Sequence, residues 1–129
     1  MGRKEEMNMK KILVIDDELA YVKLLSDKLK AAHEVFSAHD GKKGLEIAEK
    51  EKPDLVLLDI SMPVMDGLEM LKQLRESSFG KHMKVIMLTN LEPTEDIIKK
   101  AAADQPSSYV IKSDTSLEDL VKKVNGLLT

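Results

Sequence analysis

The sequence predicts an α/β fold: a doubly wound (βα)5 unit built on a five-stranded parallel sheet. Five short aliphatic runs, at 11–16, 34–38, 54–59, 84–89 and 108–112, alternate with segments of helical periodicity. That alternation gives right-handed crossovers and a sheet covered on both faces. The central runs, above all Leu55-Val56-Leu57-Leu58, are apolar throughout. Strands buried on both sides read this way, whereas half-exposed strands alternate. The length of 129 residues suits one domain with a core of its own.

The elements follow in order. Residues 1–9 (MGRKEEMNM) are polar and unpatterned, and are expected to form a disordered N-terminal extension ahead of a domain at 10–129. Ile12-Leu13-Val14-Ile15 closes on Asp16-Asp17, and Val22, Leu25 and Leu29 mark one face of the first helix. Asp40 before Gly41 caps the second helix, and Pro53 stops it ahead of the third strand. That strand closes on Asp59. Asp66 with Glu69 opens the third helix, where Leu71 and Leu74 face inward. Val85-Ile86-Met87-Leu88 closes on Thr89, and Pro93 suits the first turn of the fourth helix. Tyr109-Val110-Ile111 closes on Lys112. Thr115 with Glu118 forms a capping box before the last helix, whose Leu117, Leu120, Val121, Val124 and Leu128 share one face. That helix runs to the last residue, so no separate output domain is expected.

Composition narrows the function. Tyr21, Phe36, Phe79 and Tyr109 are the aromatic residues, so aliphatic side chains and Met must fill the interior. The absence of Cys removes disulfides and thiolate metal sites and fits a reducing, cytoplasmic setting. No stretch approaches the roughly 20 apolar residues of a membrane span, and the N-terminus lacks the apolar core of a secretory signal. A net charge of −3, with Lys and Glu interspersed, is unlike the basic stripe of a nucleic-acid binder. Gly41-Lys42-Lys43-Gly44 matches the GXXG loop of KH RNA-binding modules, but it opens a helix here, and five alternating strands do not suit that module. There is no dinucleotide or P-loop glycine motif. His33, His39 and His82 lack ligand spacing and are expected at the surface. Met62, Met65, Met83 and Met87 read as loop and core packing, and Lys99-Lys100 and Lys122-Lys123 as solvated helix faces.

In a parallel sheet, Asp16, Asp17, Asp59, Thr89 and Lys112 all fall on one edge, where α/β proteins build their sites. Like charges about 4 Å apart repel by roughly 4 kcal/mol at an effective dielectric near 20. Three carboxylates at neighbouring strand ends therefore call for a cation. Mg2+, a hard ion with oxygen ligands and a partner phosphate, suits them. Asp59 is the candidate nucleophile, forming an aspartyl phosphate. Lys112 and Thr89 would offset charge on the phosphoryl oxygens. Taken singly, each residue has a plainer reading: a turn Asp, a solvated strand-end Lys, a β-branched strand end. Together on one edge they favour a site.

Four blocks, Ile15-Asp16-Asp17-Glu18, Leu58-Asp59-Ile60-Ser61-Met62-Pro63-Val64-Met65-Asp66-Gly67, Leu88-Thr89 and Tyr109-Val110-Ile111-Lys112, resemble the receiver domain of two-component response regulators. The resemblance spans residues 10–128 and is closest to stand-alone, chemotaxis-regulator-like members. It implies the flavodoxin-like strand order 2-1-3-4-5. It also implies a phosphorylation-activated switch in a two-component or phosphorelay system. Asp59 would accept phosphate from a histidine kinase or histidine phosphotransfer protein. Asp16, Asp17 and Asp59 would hold Mg2+ with the backbone carbonyl of Ser61. Thr89 and Tyr109 would form the switch, the hydroxyl moving toward the phosphoryl group and the ring turning inward. The plainer reading of Tyr109 is a half-buried edge-strand aromatic. Gly67 would serve the backbone geometry of the loop after Asp59. A downstream protein would dock, in one reading, on the face of the fourth helix, fifth strand and fifth helix, without direct nucleic-acid contact or membrane insertion.

Three departures from the family pattern stand out. Ser113 follows Lys112 where receivers often have a cis proline. Ala103-Asp104-Gln105-Pro106-Ser107-Ser108 replaces a small Gly-Ala pair before the last strand. Leu91 follows Asn90 after Thr89, and its apolar side chain is expected to restrict an attacking water and slow dephosphorylation. A turnover phosphatase on a similar sheet is disfavoured, because such enzymes need an Asp two residues beyond the nucleophile and Ser61 stands there. The chain is therefore not expected to be an enzyme beyond its own phosphorylation and dephosphorylation. A phosphorylation-independent binding module with a relic site, or a receiver cut from a larger regulator, remain the alternatives.

Overall fold

A computed structural model of the chain describes residues 9–90 and 94–129. The expectations for Leu91 and Pro93 lie outside the described residues, as does most of the expected N-terminal extension. The described elements run β1 (Lys11–Ile15), α1 (Leu19–Leu29), β2 (Glu34–Ala38), α2 (Gly41–Glu51), β3 (Leu55–Asp59), α3 (Gly67–Glu76), β4 (Lys84–Thr89), α4 (Glu95–Ala103), β5 (Ser108–Ile111) and α5 (Leu117–Leu128). All five strands pair in parallel, in the order β2-β1-β3-β4-β5. This is the doubly wound sheet and the strand order that the sequence and its resemblance predict.

Alternation of side chains along each strand divides the core in two. Ile12, Val14, Leu55, Leu57, Ile86, Leu88 and Val110 face α1 and α5, meeting Val22, Leu25, Leu29, Leu120 and Val124. Leu13, Ile15, Val56, Leu58, Val85 and Met87 face the other layer, meeting Ala48 of α2 and Met70, Leu71 and Leu74 of α3, with Ile97 of α4 packed alongside. Met62, Met65 and Met83 pack against this second cluster, as expected. The unbroken aliphatic runs of β1, β3 and β4 thus serve two cores at once.

Side-chain caps fix the starts of α2, α3, α4 and α5. Asp40 accepts a hydrogen bond from the Lys43 N–H, and Asp66 accepts one from the Glu69 N–H. Thr94 caps α4 through the Ile97 N–H. At α5 the cap is Ser116, which accepts from the Asp119 N–H, and not Thr115. The segment Thr115-Ser116-Leu117-Glu118-Asp119 holds two overlapping cap signals. A 3-10 turn at Lys112–Asp114 takes up the residues before it and brings Ser116 to the cap position.

Three more expectations need correction or refinement. His33 is buried, not at the surface. One ring nitrogen, Nε2, lies 2.7 Å from Asn125 Oδ1, and Nδ1 accepts from the Lys10 N–H, so the ring ties the turn between α1 and β2 to the chain entering β1 and to α5. Lys112 belongs to the 3-10 turn and not to the last strand. No cis peptide bond occurs among the described residues, so the Lys112-Ser113 bond is trans.

The unusual segment before β5 is held by Arg75. Its guanidinium donates to the carbonyls of Asp104, Gly80 and Gln105, tying the end of α3 to the α4–β5 turn. Gln105 turns with φ of 50°, a left-handed conformation reached here without Gly.

Candidate functional site

The carboxyl-terminal edge of the sheet gathers the strand-end residues. β1 and β3 are neighbours with Ile15 opposite Leu58, which sets Asp16 beside Asp59. Carboxylate oxygens of Asp16, Asp17 and Asp59 all lie within 4.8 Å of one another. Asp16 and Asp59 are buried and Asp17 is exposed, so the cluster opens to solvent on the Asp17 side. Gly67 lets the chain close over Asp59. A Cβ there would run into the Asp59 carbonyl and come within 3.0 Å of the Ile60 Cα, and the Gly67 N–H donates to the Ile60 carbonyl. Its φ is not positive, so the need for Gly is close approach and not a left-handed turn. Val64 supplies the positive φ of this loop, at 69°, and is 80% exposed.

Lys112 enters from the turn after β5. Its buried ammonium contacts Asp16 Oδ2 directly, lies 2.7 Å from Glu18 Oε1 and stands 3.9 Å from Asp59 Oδ2. The Asp16 contact is an ion pair without good hydrogen-bond alignment. Nζ also sits 4.5 Å from the centroid of the Tyr21 ring, a cation–π arrangement. Thr89, at the end of β4, is buried on the same edge.

The electrostatics follow from burial and charge. Desolvation pushes the Asp59 carboxyl up to about 7, and the Asp16 charge adds to the rise. Lys112, Asp17 and a backbone hydrogen bond from Ser61 modulate it, the first and last pulling it down. Burial would lower the Lys112 pKa, but its contacts with Asp16 and Glu18 outweigh that and the net shift is upward. The Glu18 carboxyl is lowered by its hydrogen bond with Lys112, and then by that with Asn90. Among the described residues the site therefore holds more carboxylate than the Lys112 ammonium offsets. An oxygen-rich cluster with residual negative charge, open on one side, fits Mg2+.

Tyr109 does not join this cluster. It pairs in register with Met87, two residues before Thr89, so Tyr109 and Thr89 stand on the same side of the sheet, toward α4. Its Oη is buried and has no hydrogen-bond partner among the described residues. Beside it an apolar groove of about 650 Å³ is lined by Ile98, Ala101, Ala102, Gln105, Pro106 and Tyr109. Ser61 is exposed in the loop that follows Asp59.

Sequence reasoning gave no role to Glu18, Asn90 or Tyr21. Glu18 accepts from Lys112 Nζ and, through the same Oε1, from Asn90 Nδ2 at 2.7 Å. Its own N–H donates to Asp16 Oδ1. The signal was an acid directly after the Asp16-Asp17 pair and a side-chain amide directly after Thr89.

The sequence matches the response regulator receiver domain over residues 12–125, a span that contains Asp16, Asp17, Asp59, Thr89 and Lys112. It is 38% identical over 126 residues to a probable transcriptional regulator, ycf27, of Cyanophora paradoxa, covering 95% of this chain and 50% of that protein. It is 46% identical over 81 residues to the alkaline phosphatase synthesis transcriptional regulatory protein PhoP of Bacillus subtilis, covering 62% of this chain and 33% of PhoP. The chain thus spans half or less of the length of these curated relatives. Among solved structures, the chemotaxis response regulator CheY4 of Vibrio cholerae superposes with a TM-score of 0.83 at 31% identity, covering 92% of this chain and 98% of that one. Sheet order, strand-end chemistry and sequence agree over nearly the whole chain, which belongs to the receiver domain family of two-component response regulators.

Proposed function

We propose that this receiver domain, at residues 10–129, is switched by transfer of a phosphoryl group to Asp59. The observation that carries this reading is the close set of Asp16, Asp17 and Asp59 oxygens with the Lys112 ammonium beside them. A carboxylate oxygen of Asp59 attacks phosphorus, and the bond from phosphorus to the donor's leaving atom breaks. The product is an acyl phosphate. Such a transition state spreads charge over the phosphoryl oxygens, so the site's work is positioning and neutralisation. Lys112 supplies a fixed positive charge and Thr89 a hydroxyl donor. Asp16, Asp17 and Asp59, with the carbonyl of Ser61, would hold Mg2+. That ion supplies further neutralisation of the phosphoryl oxygens.

The donor is a histidine kinase or a histidine phosphotransfer protein, and the setting is cytoplasmic. No helix among the described residues is long and apolar enough to cross a membrane. Readout runs through Thr89 and Tyr109, which share one side of the sheet. The groove beside Tyr109, between α4 and β5, is the place for a downstream protein. No separate turnover substrate is assigned, because Ser61 stands where a phosphatase would carry its general acid. Borohydride reduction after treatment with acetyl phosphate tests the site directly, since it turns an acyl phosphate carbon into an alcohol. The modification is expected on the peptide containing Asp59. Modification elsewhere, or none, contradicts the reading.

A further inference from the structure

Glu18 stands where three strand-end loops meet. Its backbone N–H is held by Asp16 Oδ1 at 2.9 Å. Its Oε1 accepts from Lys112 Nζ, in the turn after β5, and from Asn90 Nδ2, in the loop after β4, each at 2.7 Å. Asn90 follows Thr89 directly in the chain. Lys112 is meanwhile 3.9 Å from Asp59, outside hydrogen-bond range.

From this arrangement we infer that Glu18 and Asn90 are positioning residues that latch the site in its resting state. The inference rests on Asp59 being the phosphoacceptor. Glu18 holds the Lys112 ammonium toward the β1–α1 loop, and the gap to Asp59 must close before Lys112 can neutralise a phosphoryl oxygen. Closing it stretches the bond to Glu18. The same carboxylate holds Asn90, so any shift of Thr89 toward Asp59 pulls on its other bond. One side chain therefore couples the charge event at Lys112 to the movement after β4, and it favours the resting state on both counts. Its negative charge also opposes a phosphoryl dianion nearby. That repulsion is moderated by solvent, because the side chain is 48% exposed.

A latch of this kind makes an opposite prediction from a residue that merely supports the site. Removing it should strengthen binding of a phosphoryl mimic. The probe is beryllofluoride with Mg2+, with affinity read by titration calorimetry on the full chain. Glu18→Ala is expected to bind about tenfold more tightly than wild type, and Asn90→Ala about threefold, in line with modest, partly screened hydrogen-bonded pairs. Because Asn90 acts through Glu18, the double variant should match Glu18→Ala alone and not multiply the two effects. A second reading needs no ion. In divalent-free protein the Asn90 side-chain amide resonance, identified by its loss in Asn90→Ala, should sit away from its free position. It should move there in Glu18→Ala and should largely hold its place in Glu18→Gln, which keeps an acceptor.

Weaker binding in Glu18→Ala, unchanged binding in all variants, or multiplied effects in the double variant overturn the latch. Wild type that binds beryllofluoride beside such variants leaves the Asp59 reading standing and removes the latch alone. Folded wild type that binds none removes both.

Discussion

Lys112 belongs to Asp16 more than to Asp59: its ammonium touches the Asp16 carboxylate and stands 3.9 Å from that of Asp59. The ammonium therefore neutralises the buried carboxylate of the β1 end and is drawn further off by Glu18. What Lys112 contributes to the fold and its proposed part in phosphoryl chemistry are separable by experiment.

Lys112→Met leaves Asp16 and Asp59 buried without a cation. Breaking a buried pair on one side costs about 3 kcal/mol or more. Urea unfolding in divalent-free buffer is expected to show a loss of that order. Mg2+ should recover most of it, because the ion replaces the missing charge. Equal stability of variant and wild type without divalent ions would contradict the account.

Asp59 makes the divalent-free protein pH-sensitive. Its folded pKa is raised to about 7, from an ordinary 3.8. The folded state then binds this proton more tightly than the unfolded chain does, so stability falls as pH rises from near 4 to near 7 and levels off above. The change is on the order of a few kcal/mol. Asp59→Asn should flatten that slope and be more stable than wild type at pH 8 without Mg2+. Urea midpoints at pH 5 and pH 8 check both statements.

Gly67→Ala places a methyl group against the backbone of Asp59 and Ile60. Overpacking of this kind costs typically about 1–3 kcal/mol, and here the backbone that must yield carries Asp59, the proposed phosphoacceptor. A lower Tm and slower phosphoryl uptake are expected together. A variant with lower Tm but unchanged uptake would show that the strand end does not shift.

The cap of α5 is Ser116, so Ser116→Ala should cost about 1 kcal/mol, while Thr115→Ala costs clearly less. Thermal unfolding of the two variants decides between the overlapping cap signals.

Much of this molecule is legible in its sequence because runs of aliphatic residues end abruptly on Asp16, Asp59 and Thr89. In a parallel sheet an abrupt end fixes both the edge and the neighbour. Sequence puts Lys112 at the end of the last strand, and the structure carries it one step further, into the 3-10 turn, where Asp16 and Glu18 take its ammonium. Glu18 and Asn90 are 72 positions apart, and no local pattern ties them. The Arg75 clasp is illegible for another reason, since its acceptors are backbone carbonyls that every residue carries. The burial of His33 leaves no mark in the sequence, because its partners are a backbone N–H and Asn125 Oδ1, 92 positions away. Lys52, Val64 and Gln105 adopt positive φ without being Gly, so turn chemistry gave no sign of them.

Transfer of a phosphoryl group to Asp59 is open to a simple assay. Intact mass after incubation with acetyl phosphate, with and without Mg2+, for wild type beside Asp59→Asn, tests it most directly. One phosphoryl adduct is expected on wild type, dependent on Mg2+ and absent from the variant. An adduct retained by folded Asp59→Asn at the same stoichiometry, or none on folded wild type with Mg2+ present, would contradict it.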